Sequence, residues 1–161
     1  MKFTRWAVII GIFTALSVVG GLVKLTPLGS IALDSAPGYF VAAFYSPALG
    51  AFVALFGHIG SAATGGMPLG GLHALIAPAM FLISGLFGII ARRGPSISYL
   101  IVAGVVAVIL NGVILPLALI PFGLPRSAAI SLIPLLVTVS AVNILLASVA
   151  AWTSAKLRPG A

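Results

Sequence analysis

Residues 72–95, LHALIAPAMFLISGLFGIIARRGP, decide the fold. From Leu72 to Ala91 the run is almost wholly apolar and uncharged, and it stops at Arg92-Arg93-Gly94-Pro95. About 20 apolar residues are what a helix needs to cross the hydrocarbon core of a bilayer. A pair of cations followed by Gly-Pro is a polar boundary that such a helix does not continue past.

The rest of the chain is punctuated in the same way. It is 61% hydrophobic and 6% charged, with mean hydropathy +1.32, and a water-soluble domain of that composition would expose large apolar patches. The expected fold class is therefore an all-α integral membrane protein. In 161 residues there is room for about six helices with short connections, giving one six-helix transmembrane domain over residues 1–161 with no separate nucleotide-binding or enzymatic domain. The helices are expected over residues 4–23, 38–46, 47–63, 72–91, 98–120 and 125–156. The second is short for a span and must be tilted or buried by its neighbours. Pro47 suits the first turn of the third. The start, Met1-Lys2-Phe3-Thr4-Arg5, resembles a signal peptide, but the apolar run reaches Val23 without a cleavage site, so a retained first span is expected.

Charge sets the orientation. With a cytoplasmic N-terminus, alternating spans place Lys2, Arg5, Arg92, Arg93, Lys156 and Arg158 inside and leave Lys24 and Arg126 outside. Both termini are thus expected in the cytoplasm, with the long loops after the first and third helices and the turn after the fifth outside, in a multi-pass protein of the cell membrane. The formal charge of +7 does not indicate nucleic acid, because the basic residues stand singly or in one pair beside apolar runs. With no cysteine there is no disulfide, thiolate nucleophile or cysteine metal site.

Polar residues gather toward the outer face. The one acid, Asp34, falls in Leu33-Asp34-Ser35-Ala36-Pro37-Gly38-Tyr39, and His58, Ser61 and Thr64 share one face of the third helix. His73 opens the fourth helix below Met67-Pro68-Leu69, while Asn111 and the Ser140/Asn143 pair lie midway along the fifth and sixth. Polar groups at membrane depth usually turn toward a partner or a watered cavity, so these residues are expected to line one outward pocket. Structural readings stand beside this one: Asp34 paired with Lys24 or capping a turn, His58 in an interhelical hydrogen bond, His73 at the water interface, the two asparagines in packing. No HExxH spacing suggests a metal, and no GxSxG elbow suggests a hydrolase, so neither a metal nor enzymatic activity is expected. On the first helix Ala7, Gly11 and Ala15 form a stripe of small side chains that suits either packing within the bundle or docking onto a partner membrane protein.

These features resemble the substrate-binding S components of energy-coupling factor (ECF) transporters, which take vitamins into prokaryotic cells. The resemblance covers nearly the whole chain. Gly29-Ser30-Ile31-Ala32-Leu33-Asp34-Ser35-Ala36-Pro37-Gly38-Tyr39-Phe40, Gly57-His58, Gly66-Met67-Pro68-Leu69-Gly70 and His73 look most like the branch assigned to α-ribazole, a cobalamin precursor. The family's first-helix signature is commonly Ala-x-x-x-Ala, for which this chain has Ala7/Gly11 and Gly11/Ala15. The resemblance implies a binding subunit without cofactor that topples in the membrane to deliver cargo, working with a transmembrane coupling subunit and two cytoplasmic ATPases. The absence of a GxxxxGK[ST] loop agrees with ATP being hydrolysed by partners. For α-ribazole, Tyr39, Phe40 and Met67 are candidates for the dimethylbenzimidazole, and Asp34, His58, His73, Asn111 and Asn143 for the ribose hydroxyls. Ala7, Gly11 and Ala15 are the docking candidates. Alternatives are an S component for riboflavin, thiamine or biotin, a small stand-alone secondary transporter, or an accessory membrane protein; no internal repeat supports the secondary transporter.

Overall fold

The computed structural model describes residues 2–23, 33–94 and 96–157. Lys24, Arg158, the loop at 24–32 and the Gly29-to-Ala32 part of the quoted motif lie outside the described residues. Among those described, the chain is helical with no strand: α1 (Lys2–Leu22), α2 (Ala36–Phe44), α3 (Pro47–Thr64), α4 (His73–Ala91), α5 (Ile97–Ile109), α6 (Leu115–Ala118) and α7 (Arg126–Lys156). A five-residue π turn, Leu110–Ile114, joins α5 to α6, so the two form one continuous rod. Six rods result, as the hydropathy pattern predicts, with the expected boundaries displaced by a residue or two.

Five of the rods are long and apolar enough to cross a membrane. The exception is α2. Its nine residues rise about 13 Å against a hydrocarbon core about 30 Å thick. Of the two expectations for it, burial is what the structure shows: Gly38, Tyr39, Val41 and Ala42 are enclosed, and α2 packs against α1, α3, α4 and α7.

Lipid tails are as apolar as leucine, so burying leucines does little to drive helices together, and close backbone approach must do more of that work. Along the α1–α3 crossing, Ser17 and Gly21 meet Gly57 and Ser61, two small-xxx-small pairs face to face. A Cβ on Gly57 would lie 2.6 Å from the Ser17 Cβ, which leaves no room for any other residue there. Large apolar side chains point outward instead, Leu82, Ile101 and Leu145 among them.

Connectivity sorts the ends. The C-terminal ends of α2, α4 and α7 meet the start of α5, bringing Arg92 and Lys156 together. Asp34, His58, His73 and Leu124 gather at the other end. The Gly21–Ser61 contact and the hydrogen bond from Leu33 N to Gly20 O (3.1 Å) place the C-terminus of α1 beside that second group, and hence Arg5 toward the basic end.

Candidate functional site

At the end holding Asp34, a cavity of about 120 Å³ opens between α3, α4, α7 and the α5–α6 rod. One wall is polar: Asp34, Ser35, His58, His73, Asn111, Ser140 and Asn143. The rest of the lining is apolar and includes Ile76, Met80, Leu115, Leu119, Leu124, Leu132, Leu136 and Val139. Among the described residues no Lys or Arg lines it, and no aromatic ring apart from the two imidazoles.

Each polar group is positioned by a local backbone device. Asp34 precedes α2 and accepts from the Ser35 hydroxyl at 3.0 Å, with the Ser61 hydroxyl as a second donor. Burial pushes its carboxyl above the ordinary carboxylate range, and those hydroxyl hydrogen bonds offset only part of the shift. The first N–H groups of a helix have no partner within it, and here Asn143 of α7 supplies one: its Oδ1 accepts from Ser35 N (3.2 Å) and Ala36 N (2.8 Å). The Asn143 Nδ2 donates to Val139 O at 3.0 Å. Asn143 therefore fixes the start of α2, next to Asp34, and lines the cavity from that position.

The two histidines meet across the α3–α4 interface. His58 Nε2 and His73 Nδ1 are 3.1 Å apart, and Leu69 N donates to His73 Nε2 at 3.3 Å. The Met67–Leu69 segment is thus tied to the cavity through His73. That segment turns on a left-handed Met67 (φ 53°), held by Met67 N–H to Ala62 O at 2.8 Å. Positive φ is uncommon for a side chain beyond Gly, Asn or Asp, and such conformations concentrate at functional loops.

Asn111 owes its place to Pro116. Proline has no N–H for the carbonyl four residues earlier and its ring crowds that carbonyl, so the helix widens into the π turn, where Leu115 N bonds to Leu110 O. Gly112 at the turn lets the backbone approach Val137 of α7, and the Asn111 Nδ2 donates to Ser140 Oγ at 2.7 Å.

Asp34, His58, His73, Asn111 and Asn143, chosen from sequence, therefore share one cavity. The apolar candidates do not join them. Tyr39 is 1% exposed and packs edge-on to Phe87 at 5.0 Å, because α2 turns that face to the bundle core. Phe40 packs on Phe13 and Phe44, Met67 is 46% exposed, and the cavity's apolar lining comes from other aliphatic residues, leucines foremost. Thr64 spends its hydroxyl on Gly60 O and Ser61 O within its own helix. Leu132, Leu136, Ser140 and Asn143 recur at helical spacing on α7, a stripe visible in the sequence that would have located this helix's contribution to the cavity.

The small stripe on α1 lies elsewhere. Ala7, Gly11 and Ala15 are exposed, and a Cβ on Gly11 would meet nothing within 4 Å. Internal packing of α1 uses another face, with Ile9, Phe13, Ser17 and Gly21 among its contacts.

Residues 6–154 match the family model described as ECF transporter, substrate-specific component. No curated protein matches the chain.

Proposed function

The chain belongs to the ECF transporter substrate-specific component family, and from that premise we propose that it captures a small, neutral, aromatic nucleoside-like vitamin precursor, α-ribazole foremost, in the cavity beside Asp34. The family makes it a membrane-embedded transport subunit rather than an enzyme, working with other ECF subunits on a small-molecule substrate. The finer reading rests on the cavity lining.

A lining that combines hydroxyl, imidazole, amide and carboxyl groups with aliphatic side chains suits a ligand with both hydroxyls and a flat apolar body. The carrying observation is the charge of that lining. Among the described residues it holds one acid and no cation, so a carboxylate ligand such as biotin would enter without a counter-charge. A neutral ribosylated base meets no such penalty. At about 120 Å³ the cavity is smaller than the ~300 Å³ at which small-molecule sites begin, so substrate entry requires it to widen. The Met67–Leu69 turn, whose Leu69 N–H reaches His73 at 3.3 Å, is the segment we propose moves to widen it.

The orientation proposed is basic end inward, by the excess of Arg and Lys there, so that the cavity opens outward. The exposed Ala7/Gly11/Ala15 stripe is proposed as the surface that meets the coupling subunit. Calorimetry on the purified chain, without ATP or metal, tests the substrate assignment across α-ribazole, riboflavin, thiamine and biotin. Saturable binding of α-ribazole with biotin inert is expected; biotin binding more tightly would overturn the charge argument, and silence across the panel would remove α-ribazole as substrate.

A further inference from the structure

At the end opposite that site lies a groove of about 590 Å³ between the C-terminal ends of α2, α4 and α7 and the start of α5, and Arg92, Lys156, Trp152, Phe44, Ser96 and Leu100 shape it. The geometry points to this groove as a binding site for the anionic headgroup of a phospholipid in the leaflet at the basic end.

Charge is the first reason. The chain contains one acidic side chain, Asp34, and it stands at the opposite end of α2, so no carboxylate side chain of this protein reaches Arg92 or Lys156. Among the described residues neither cation has an acidic partner, and an anionic ligand would supply one. Arg92 is also pre-positioned: its Nη1 donates to Ala43 O at 2.9 Å and Phe44 O at 3.2 Å, which pins the guanidinium to the groove wall and leaves the rest of its donor fork for a planar or phosphate anion. Lys156 Nζ sits 4.9 Å from the Trp152 ring centroid, a cation held over an indole, which is the pairing of residue types that belongs at a membrane surface.

Shape distinguishes a lipid from a free phosphate. Beyond the two cations the groove is lined by Ala43, Phe44, Ala91, Leu100 and Ala151, apolar surface that an inorganic anion does not need and that the glycerol and upper acyl carbons of a lipid would cover. Basic pockets between transmembrane helices are suited to anionic lipid headgroups for this combination of reasons. None of this depends on which substrate the opposite cavity takes.

The test uses the full chain in zwitterionic detergent or nanodiscs, titrated with phosphatidylglycerol, phosphatidylcholine or inorganic phosphate and followed by native mass spectrometry and thermal unfolding. Arg92 also ties down α2, so the informative variant is Lys156→Gln, with Arg126→Gln at the other end as control. Phosphatidylglycerol should be retained over phosphatidylcholine, about fivefold less well by Lys156→Gln, the worth of one basic residue at an anionic surface, and unchanged by Arg126→Gln. Equal retention of the two lipids, or equal losses in the two variants, would overturn the site. Stabilisation by inorganic phosphate matching that by phosphatidylglycerol would overturn the lipid as its occupant.

Discussion

His73 Nδ1 lies 3.1 Å from His58 Nε2 while the Leu69 N–H donates to the other His73 nitrogen, and this fixes the proton positions of both rings. A backbone N–H can only donate, so His73 Nε2 is the acceptor and a neutral His73 carries its proton on Nδ1. That proton is directed at His58 Nε2, which places the His58 proton on Nδ1. The assignment follows from the hydrogen-bond network and gives a directional chain from the Met67–Leu69 turn to the cavity.

Removing the middle of that chain should disturb both ends. His73→Ala leaves His58 Nε2 and Leu69 N–H without their partner and is expected to weaken substrate binding by about 1–3 kcal/mol. Calorimetry beside a melting curve checks it. Unchanged affinity would mean that His73 organises the turn alone.

Tyr39 gives a prediction of opposite sign. Among the described residues its buried hydroxyl has no hydrogen-bond partner, and a buried unsatisfied group costs about 1–3 kcal/mol. Tyr39→Phe keeps the ring on Phe87 and discards that oxygen, so the variant should melt at a higher temperature and bind substrate as the parent does. Lost binding would place Tyr39 among the residues that substrate needs.

Asp34 makes the ligand-free protein sensitive to pH. Burial holds its folded-state pKa above the ordinary value of about 3.9, so over the interval between the two the folded chain keeps a proton that the unfolded chain has released. Stability is therefore greatest below about pH 4, falls as pH rises toward the raised folded value, and levels beyond it. Asp34→Asn should flatten that slope and raise the melting temperature at about pH 7, while weakening substrate binding by about 1–3 kcal/mol. Melting curves between pH 4 and 8 decide; a slope that survives in the variant belongs to another group.

Orientation is open to thiol labelling, since the chain has no cysteine. Ser127 and Ser98 are exposed at opposite ends, beside Arg126 and at the start of α5. An impermeant reagent on intact cells should label Ser127→Cys and spare Ser98→Cys. The reverse pattern would place the basic end outside.

Much of this was legible from residue types. The long apolar runs and their Gly, Pro and Arg stops give the spans, because lipid makes helix length and charge placement nearly sufficient to specify them. Grouping Asp34, His58, His73, Asn111 and Asn143 also followed, since buried polar groups in a bundle seek one another. Periodicity does not say which face of a short, uniformly apolar helix is inward, so it does not reveal that Tyr39 packs on Phe87 and Phe40 on Phe13. Nor does it reveal a side chain serving a distant backbone: the asparagine on α7 that caps α2 is separated from it by most of the chain.

The two glycine-bearing faces of α1 and α3 provide the sharpest separation of packing from docking. Gly57 has the Ser17 side chain 2.6 Å from where its Cβ would be, whereas Gly11 faces open space. Gly57→Val must push α1 from α3 and should destabilise the purified protein by about 1–3 kcal/mol, with binding disturbed through Asp34, which sits at the same crossing. Gly11→Leu should stay within about 0.5 kcal/mol of the parent in melting and bind substrate normally, since it meets nothing in this chain. In cells that supply the coupling machinery, the same Gly11→Leu should abolish uptake, because a leucine fills the close approach that a stripe of small residues permits. Normal uptake by Gly11→Leu would move the docking surface off this stripe, and the Gly57 result would stand regardless.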